Sequence, residues 1–162
     1  MVKAGEAAPA FKLQDDEGNW VSLSDFRGEH VVLYFYPKDD TPGCTAEACA
    51  FRDQRTEFKT RGIAILGMSA DSVESHQKFK AKFGLHFPLL SDPDKKVLKA
   101  YGVWKEKAMY GKKYMGIERT TIIVDEHGNI EKVFPKVKVT GHIKEILDQF
   151  SASTVKKHAA KA

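Results

Sequence analysis

Three observations predict an α/β fold in which a central mixed sheet is flanked by helices. Two continuous apolar runs, Val31–Tyr36 and Ile63–Ser69, read as strands buried on both faces. Between them Cys44, Ala48, Phe51 and Phe58 fall on one stripe at helical spacing, so strand, helix and strand form a right-handed crossover with parallel strands. Further on, Thr120–Asp125 and Ile130–Phe134 flank the turn Glu126-His127-Gly128-Asn129 as an antiparallel hairpin. A helix follows, in which Ile143, Ile146, Leu147 and Phe150 keep the i, i+3, i+4, i+7 pattern.

The remaining elements follow in chain order. Phe11 and Leu13, then Val21 and Leu23, alternate with polar residues on either side of Asp15-Asp16-Glu17-Gly18-Asn19, which predicts a hairpin, and Ser24–Gly28 is a short turn. Pro37 ends the first buried strand and Lys38-Asp39-Asp40 is a polar turn. Thr41 is a good N-cap and Pro42 takes the first helical position, so a helix starts there and runs to about Arg61, with Gly62 as its stop. Asp71 and Glu74 have the spacing of a capping box for the next helix, whose inner face carries His76, Phe79 and Phe83 and which stops at Gly84. Asp92-Pro93 opens a shorter helix that buries Val97, Leu98 and Tyr101 and ends at Gly102. Trp104–Glu118 has no clear period and is expected to be a long loop, its Trp104–Met115 part serving as a substrate wall or an interface. Thr140 is the expected cap of the last helix. The order β-α-β-α, then β-β-α, is the plan of the thioredoxin-like fold, with the N-terminal β-hairpin extension and the Ser91–Gly102 helix as additions. Residues 1–150 are expected to form a single domain and residues 151–162 a basic, frayed tail.

Composition narrows the function classes. With 162 residues, 42% hydrophobic and 30% charged, the chain can bury a real core, and no stretch approaches the length of a membrane span. The start lacks a basic segment followed by an apolar one, so a soluble, unprocessed, cytoplasmic protein is expected. A net charge of +4, densest at Lys156-Lys157-His158 and Lys161, gives little support to nucleic-acid binding. Two cysteines are too few for a secreted disulfide framework and suit a reducing compartment. The six histidines lie far apart and the cysteines lack a second ligand pair, so neither a metal site nor any other bound cofactor is expected. Gly67-Met68-Ser69-Ala70-Asp71 lacks the second glycine of a nucleophile elbow, and no glycine-rich phosphate loop occurs.

Cys44 is the residue with chemistry to offer. Counted from Thr41, it is the third residue of its helix, among unpaired backbone N–H groups at the positive end of the helix dipole. The thiolate is the reactive form of cysteine, and a helix end stabilises an anion by only ~0.3–1 kcal/mol, ~2 at best. A further cation is needed. Arg119, at the start of a strand, could supply it, or it could be a solvated arginine paired with Glu118.

After an aromatic-rich strand, Pro37, Thr41 and Cys44 make the pattern P-x-x-x-T-x-x-C, which resembles the peroxiredoxin active-site motif. FYPKDDTPGCTAEAC, GIERTTIIVD and KVKVTGH resemble the Q-type, or bacterioferritin-comigratory-protein, branch of that family, and the resemblance runs from about Gly5 to Phe150. It implies a thiol peroxidase in which Cys44 attacks a hydroperoxide, Thr41 hydrogen-bonds to thiolate and substrate, Pro37 shields the pocket, and Arg119 is the family's second-strand arginine. Cys49 would be the resolving thiol, as in some Q-type members, condensing with the Cys44 sulfenic acid. In an intact helix the two cysteines are five residues apart, with ~7.5 Å of rise and about 140° of rotation between them, beyond disulfide reach. The first turns are therefore expected to unwind on oxidation. Cys49 as a bystander is the plain alternative. With no C-x-x-C pair in the chain, a thioredoxin-like protein is the implied reductant, and the resemblance suggests a monomer. Two rivals are a disulfide oxidoreductase of thioredoxin type, disfavoured by the cysteine spacing, and a binding or chaperone module with incidental cysteines.

Overall fold

The structure, a computed structural model, describes residues 1–150. The predicted basic tail lies outside them. The chain order is β1 (Lys12–Gln14), β2 (Trp20–Ser22), a 3-10 turn (Leu23–Phe26), β3 (His30–Phe35), α1 (Pro42–Asp53), α2 (Arg55–Thr60), β4 (Ile63–Ser69) and α3 (Val73–Phe83). Then come β5 (Leu89–Ser91), α4 (Lys96–Ala100), β6 (Trp104–Met109), β7 (Lys112–Ile117), β8 (Thr120–Val124) and β9 (Ile130–Phe134). A last helix, α5, covers residues 142–150. Among the described residues no helix is long and apolar enough to cross a membrane.

Seven strands form one mixed sheet in the order β2-β1-β5-β4-β3-β8-β9. The pairs β3–β4 and β4–β5 are parallel, as the crossover predicts, and β3–β8, β8–β9 and β1–β2 are antiparallel. Successive β3 residues point to opposite faces. Val32, Tyr34 and Tyr36 therefore pack with Cys44, Ala48, Phe51, Phe58, Phe79 and Ile146 under the helices of one face. Val31, Leu33 and Phe35 pack with Leu98, Tyr101, Val103 and Ile117 on the other. Each large apolar side chain buried in these layers contributes about 1.5–3 kcal/mol.

Several expectations are corrected. The single helix expected to reach Arg61 breaks at Gln54, where ψ is 19° and the N–H turns back to Phe51 O and Arg52 O. Periodicity cannot register this break because both sides stay in phase, with Phe51 and Phe58 in ring contact at 5.9 Å. Ser72, not Asp71, caps α3, its hydroxyl accepting from Ser75 N, while the Asp71 carboxylate is taken up by Asp39 N and Ser69 Oγ. Strand β5 is only three residues long and follows Pro88, too short to show a pattern, yet it pairs with both β4 and β1. Thr140 does not open α5: Glu145 N bonds Gly141 O, so the first turn starts one residue later. The largest correction concerns Trp104–Glu118, which is a β-hairpin and not a loop. Its two-residue turn places Tyr110 at φ 52° and Gly111 at φ 76°, both left-handed. Asn or Asp usually signals the first of those positions, and a tyrosine there hides the hairpin from the sequence.

Candidate active site

Pro37 leaves the carboxyl end of β3 and the turn Lys38–Asp40 carries the chain to α1, at the edge where open α/β sheets place their sites. Thr41 is the N-cap residue by position, with extended backbone, and Pro42 is the first helical residue. The Thr41 hydroxyl does not cap the helix. It donates to Lys38 O at 2.8 Å, closing the turn on itself. Cys44 lies in the first turn, only 2% exposed, so its sulfur offers a narrow face to a small group and little else. Cys49 is half-buried, a little over one turn further along α1, and both thiols are free.

Arg119, just before β8, meets the sulfur. Its Nη2 donates to Cys44 Sγ at 3.3 Å and its Nη1 to Glu47 Oε1 at 2.8 Å. The alternative pairing with Glu118 is not made; Glu118 binds Lys105 at 3.0 Å instead. The backbone of Arg119 is held as well, since Val137 N donates to its carbonyl at 2.9 Å. Burial works against the guanidinium's charge, but Glu47 and Cys44 more than offset it and raise its pKa above the usual arginine value. One fork thus bridges a carboxylate and a sulfur, which a point-like ammonium could not do.

Four features of this neighbourhood were not read from the sequence. Gly43 lies directly under the guanidinium, and a Cβ there would sit 3.1 Å from Nη2. Glu47, one helical turn after Cys44, is 1% exposed. The i, i+3 spacing was the available signal, and it was masked because buried glutamates are rare. Lys107 of β6 has its pKa lowered by burial and then by the Arg119 charge, with Cys44 and Glu118 pulling the other way. His142, buried at the start of α5, bonds Thr121 Oγ1 at 2.7 Å, and burial lowers its pKa.

Asp39, Asp71 and His76 bring three possible ligand atoms within 4.8 Å of one another, a convergence the wide histidine spacing gave no hint of. These atoms are engaged with protein partners: Asp39 Oδ2 with His76 Nδ1 at 2.7 Å, Asp71 Oδ2 with Asp39 N at 2.8 Å and Ser69 Oγ at 2.7 Å. The cluster satisfies itself. His127 is exposed in its turn, as expected.

Glu47 carries a pH prediction. Burial raises its carboxyl from the ordinary 4.5 to about 7, with Arg119 pulling the other way. A raised folded-state pKa means that the unfolded chain releases this proton first, so stability is highest below about 4.5 and falls as pH rises through about 7. Glu47→Gln removes that titration. The stability difference between wild type and Glu47→Gln, measured by urea melts at pH 5 and pH 8, is expected to shift against the wild type by roughly 2–3 kcal/mol. An unchanged difference would show that the carboxylate titrates alike in both states.

Comparisons with known proteins give the family. Residues 4–133 match the AhpC/TSA family. Peroxiredoxin Bcp of Bacillus subtilis strain 168 is 49% identical over 146 residues, covering 90% of this chain and 93% of the relative. Peroxiredoxin Bcp of Escherichia coli K12 is 46% identical over 147 residues, covering 91% and 94%. Among solved structures, the bacterioferritin comigratory protein of Xanthomonas campestris, studied for alkyl peroxide reduction, superposes with a TM-score of 0.87 at 42% identity, covering 93% of this chain and 99% of that one. A mutant of Xylella fastidiosa PrxQ superposes at 0.90 with 37% identity, covering 95% and 98%. On sequence and fold alike, the chain belongs to the AhpC/TSA family and, within it, to the peroxiredoxins of the Bcp and Q branch.

Proposed function

We propose that Cys44 is the peroxidatic thiolate of a peroxidase acting on hydrogen peroxide and organic hydroperoxides, with Cys49 as its resolving partner. The observation that carries this reading is the 3.3 Å contact between the Arg119 guanidinium and a sulfur in the first turn of α1. Helix end and guanidinium act together on one anion. The thiolate attacks the terminal peroxide oxygen, an S–O bond forms as the O–O bond breaks, and the leaving oxygen departs as water or alcohol once protonated. Arg119 is aimed at the charge as it passes from sulfur to leaving oxygen, an arrangement that lowers the barrier without reorganisation.

Thr41 and Pro37 shape the approach in this reading. The Thr41 oxygen can accept from the peroxide O–H through its free lone pairs, and it can donate to substrate once its proton turns away from Lys38 O. Pro37 stiffens the strand end and presents no N–H to compete for the peroxide. The Cys49 thiolate then attacks the Cys44 sulfenic sulfur, and the S–S bond forms as the oxygen leaves as water. Both cysteines lie in the continuous helix Pro42–Asp53, so this step requires the start of α1 to unwind. An external dithiol of thioredoxin type returns the disulfide to two thiols. A monomer working in a reducing cytoplasm suits a chain with no further thiol to resolve across a subunit boundary.

Intact mass before and after one equivalent of peroxide tests the pairing. Loss of two hydrogens is the expected result, and Cys49→Ser is expected to gain one oxygen instead, complete its first turnover and stop cycling with thioredoxin. A wild-type chain that gains an oxygen and keeps its hydrogens would exclude Cys49 as the resolving thiol.

A further inference from the structure

Asp39 belongs to the turn that carries the chain to Cys44, and its side chain is buried, unusually for a turn carboxylate. Every polar atom of it is taken. Oδ1 accepts from Tyr36 Oη at 2.6 Å, and Oδ2 accepts from Ser75 Oγ at 2.8 Å and lies 2.7 Å from His76 Nδ1. The backbone N–H donates to Asp71 Oδ2 at 2.8 Å. His76, 0% exposed, places its other ring nitrogen 2.9 Å from Leu90 O, so both nitrogens face acceptor oxygens. Asp39 is thereby tied to β3, to the end of β4, to α3 and through His76 to β5.

The next residue is held quite differently. Asp40 has φ 55°, a left-handed conformation costly for a residue with a Cβ. Among the described residues its carboxylate meets only the exposed Lys82, a pair worth little in water. Thr41 bonds within its own turn. Further along, Cys44, Glu47 and Ala48 face inward, the first two meeting Arg119, and Phe51, 0% exposed, stacks on Tyr34 with ring centroids 4.6 Å apart. Both cysteines lie between Asp39 and Phe51.

We propose that Asp39 and His76 are a positioning pair that clamps the near end of the catalytic segment, so that the unwinding which a Cys44–Cys49 disulfide requires does not pass Asp39. This rests on the Cys44–Cys49 pairing proposed above. In the reduced protein the clamp sets the angle at which α1 leaves the sheet, and so keeps Cys44 within reach of Arg119. After oxidation it keeps the disturbance out of β3, since unwinding stops at Asp39. Without it α1 frays before peroxide arrives. Attack on peroxide then slows, while closure of the disulfide, which needs the frayed form, does not.

Two substitutions of one histidine separate this from a packing role. His76→Asn keeps a donor where Nδ1 stood, facing Asp39, whereas His76→Gln keeps one where Nε2 stood, facing Leu90 O. Stopped-flow peroxide consumption in the first turnover is expected to fall about tenfold or more in His76→Gln and to stay within about threefold of wild type in His76→Asn. Overoxidation at high peroxide, read as sulfinic acid by mass, is expected to drop in His76→Gln. Asp39→Asn, which alters the other member of the pair, is expected to follow His76→Gln. Amide exchange of reduced His76→Gln should speed up over residues 40–50 and stay slow over β3.

A folded His76→Gln with wild-type attack rate and wild-type exchange would overturn the proposal. So would an equal loss in His76→Asn and His76→Gln, since that would leave only the volume of the ring. Attack on peroxide does not involve Cys49, so a wild type that forms no disulfide would exclude the unwinding half while the rate comparison still decides the positioning half.

Discussion

Cys44→Ser is expected to consume hydroperoxide no faster than buffer, a loss of at least about 10^4-fold given how far enzymes exceed uncatalysed rates. The serine hydroxyl fits the same space, and Arg119 Nη2, 3.3 Å from the sulfur, remains as its hydrogen-bond partner, so the fold is expected to survive. Stopped-flow consumption of hydrogen peroxide together with a thermal melt separates loss of chemistry from loss of structure. A folded Cys44→Ser that retained wild-type consumption would remove the thiol from the mechanism and leave a binding module as the better reading. The other rival, a disulfide oxidoreductase, already sits badly with the structure, because its two thiols would have to react without peroxide across more than a turn of intact helix.

Arg119→Met should cost about 10^2–10^3-fold in the peroxide step, the usual loss when one preorganised donor is removed from a charged transition state. It should also destabilise the protein, because Glu47 is buried and would lose its cation; breaking a buried pair costs about 3–5 kcal/mol. The raised carboxyl value of about 7 sets the condition: the penalty is largest above that pH and shrinks below it, where Glu47 takes up a proton. The double variant Arg119→Met with Glu47→Leu tells the two effects apart. It should regain most of the stability by removing the orphaned carboxylate, yet none of the rate. Recovery of both would mean that the arginine works only by neutralising Glu47. Arg119→Lys should fall between, since one ammonium cannot serve both the carboxylate and the sulfur.

Much of this site could be read from the chain because its parts are local. The thiol's place in the first turn of α1 follows from Thr41 and Pro42, and β3, β4 and the β8–β9 hairpin follow from apolar runs and turn residues that need no tertiary context. What could not be read depends on contacts between distant segments. Arg119 was one of two equal possibilities until the fold put β8 beside β3, with Phe35 opposite Thr120. Glu47 gave no signal and His76 read only as an inner-face helix residue; the contacts of the first with Arg119 and of the second with Asp39 show what each holds in place. The β6–β7 hairpin was lost to a tyrosine in a turn position that favours Asn or Asp, and to lysines that blur its alternation. Cys49 was easier to place than to interpret: position gives its distance from Cys44, and only reactivity gives its purpose.

The opening hairpin has a further importance. Strand β5 is three residues long, and without β1 alongside, its outer hydrogen-bonding groups, with Leu89 and Leu90 in the core beside them, would form the border of the parallel region. Asp16 strengthens the cover by accepting from Leu89 N at 3.1 Å and pairing with Lys80 at 3.0 Å. Beyond it β2 ends the sheet with Trp20, its ring topped by the Lys12 ammonium at 5.8 Å. Bare strand borders recruit other strands, whereas lysine-guarded ones discourage them. A chain trimmed of its first two dozen residues would therefore keep its thiol and its arginine and be more prone to stack with its own copies, so the extension acts as a guard against self-association.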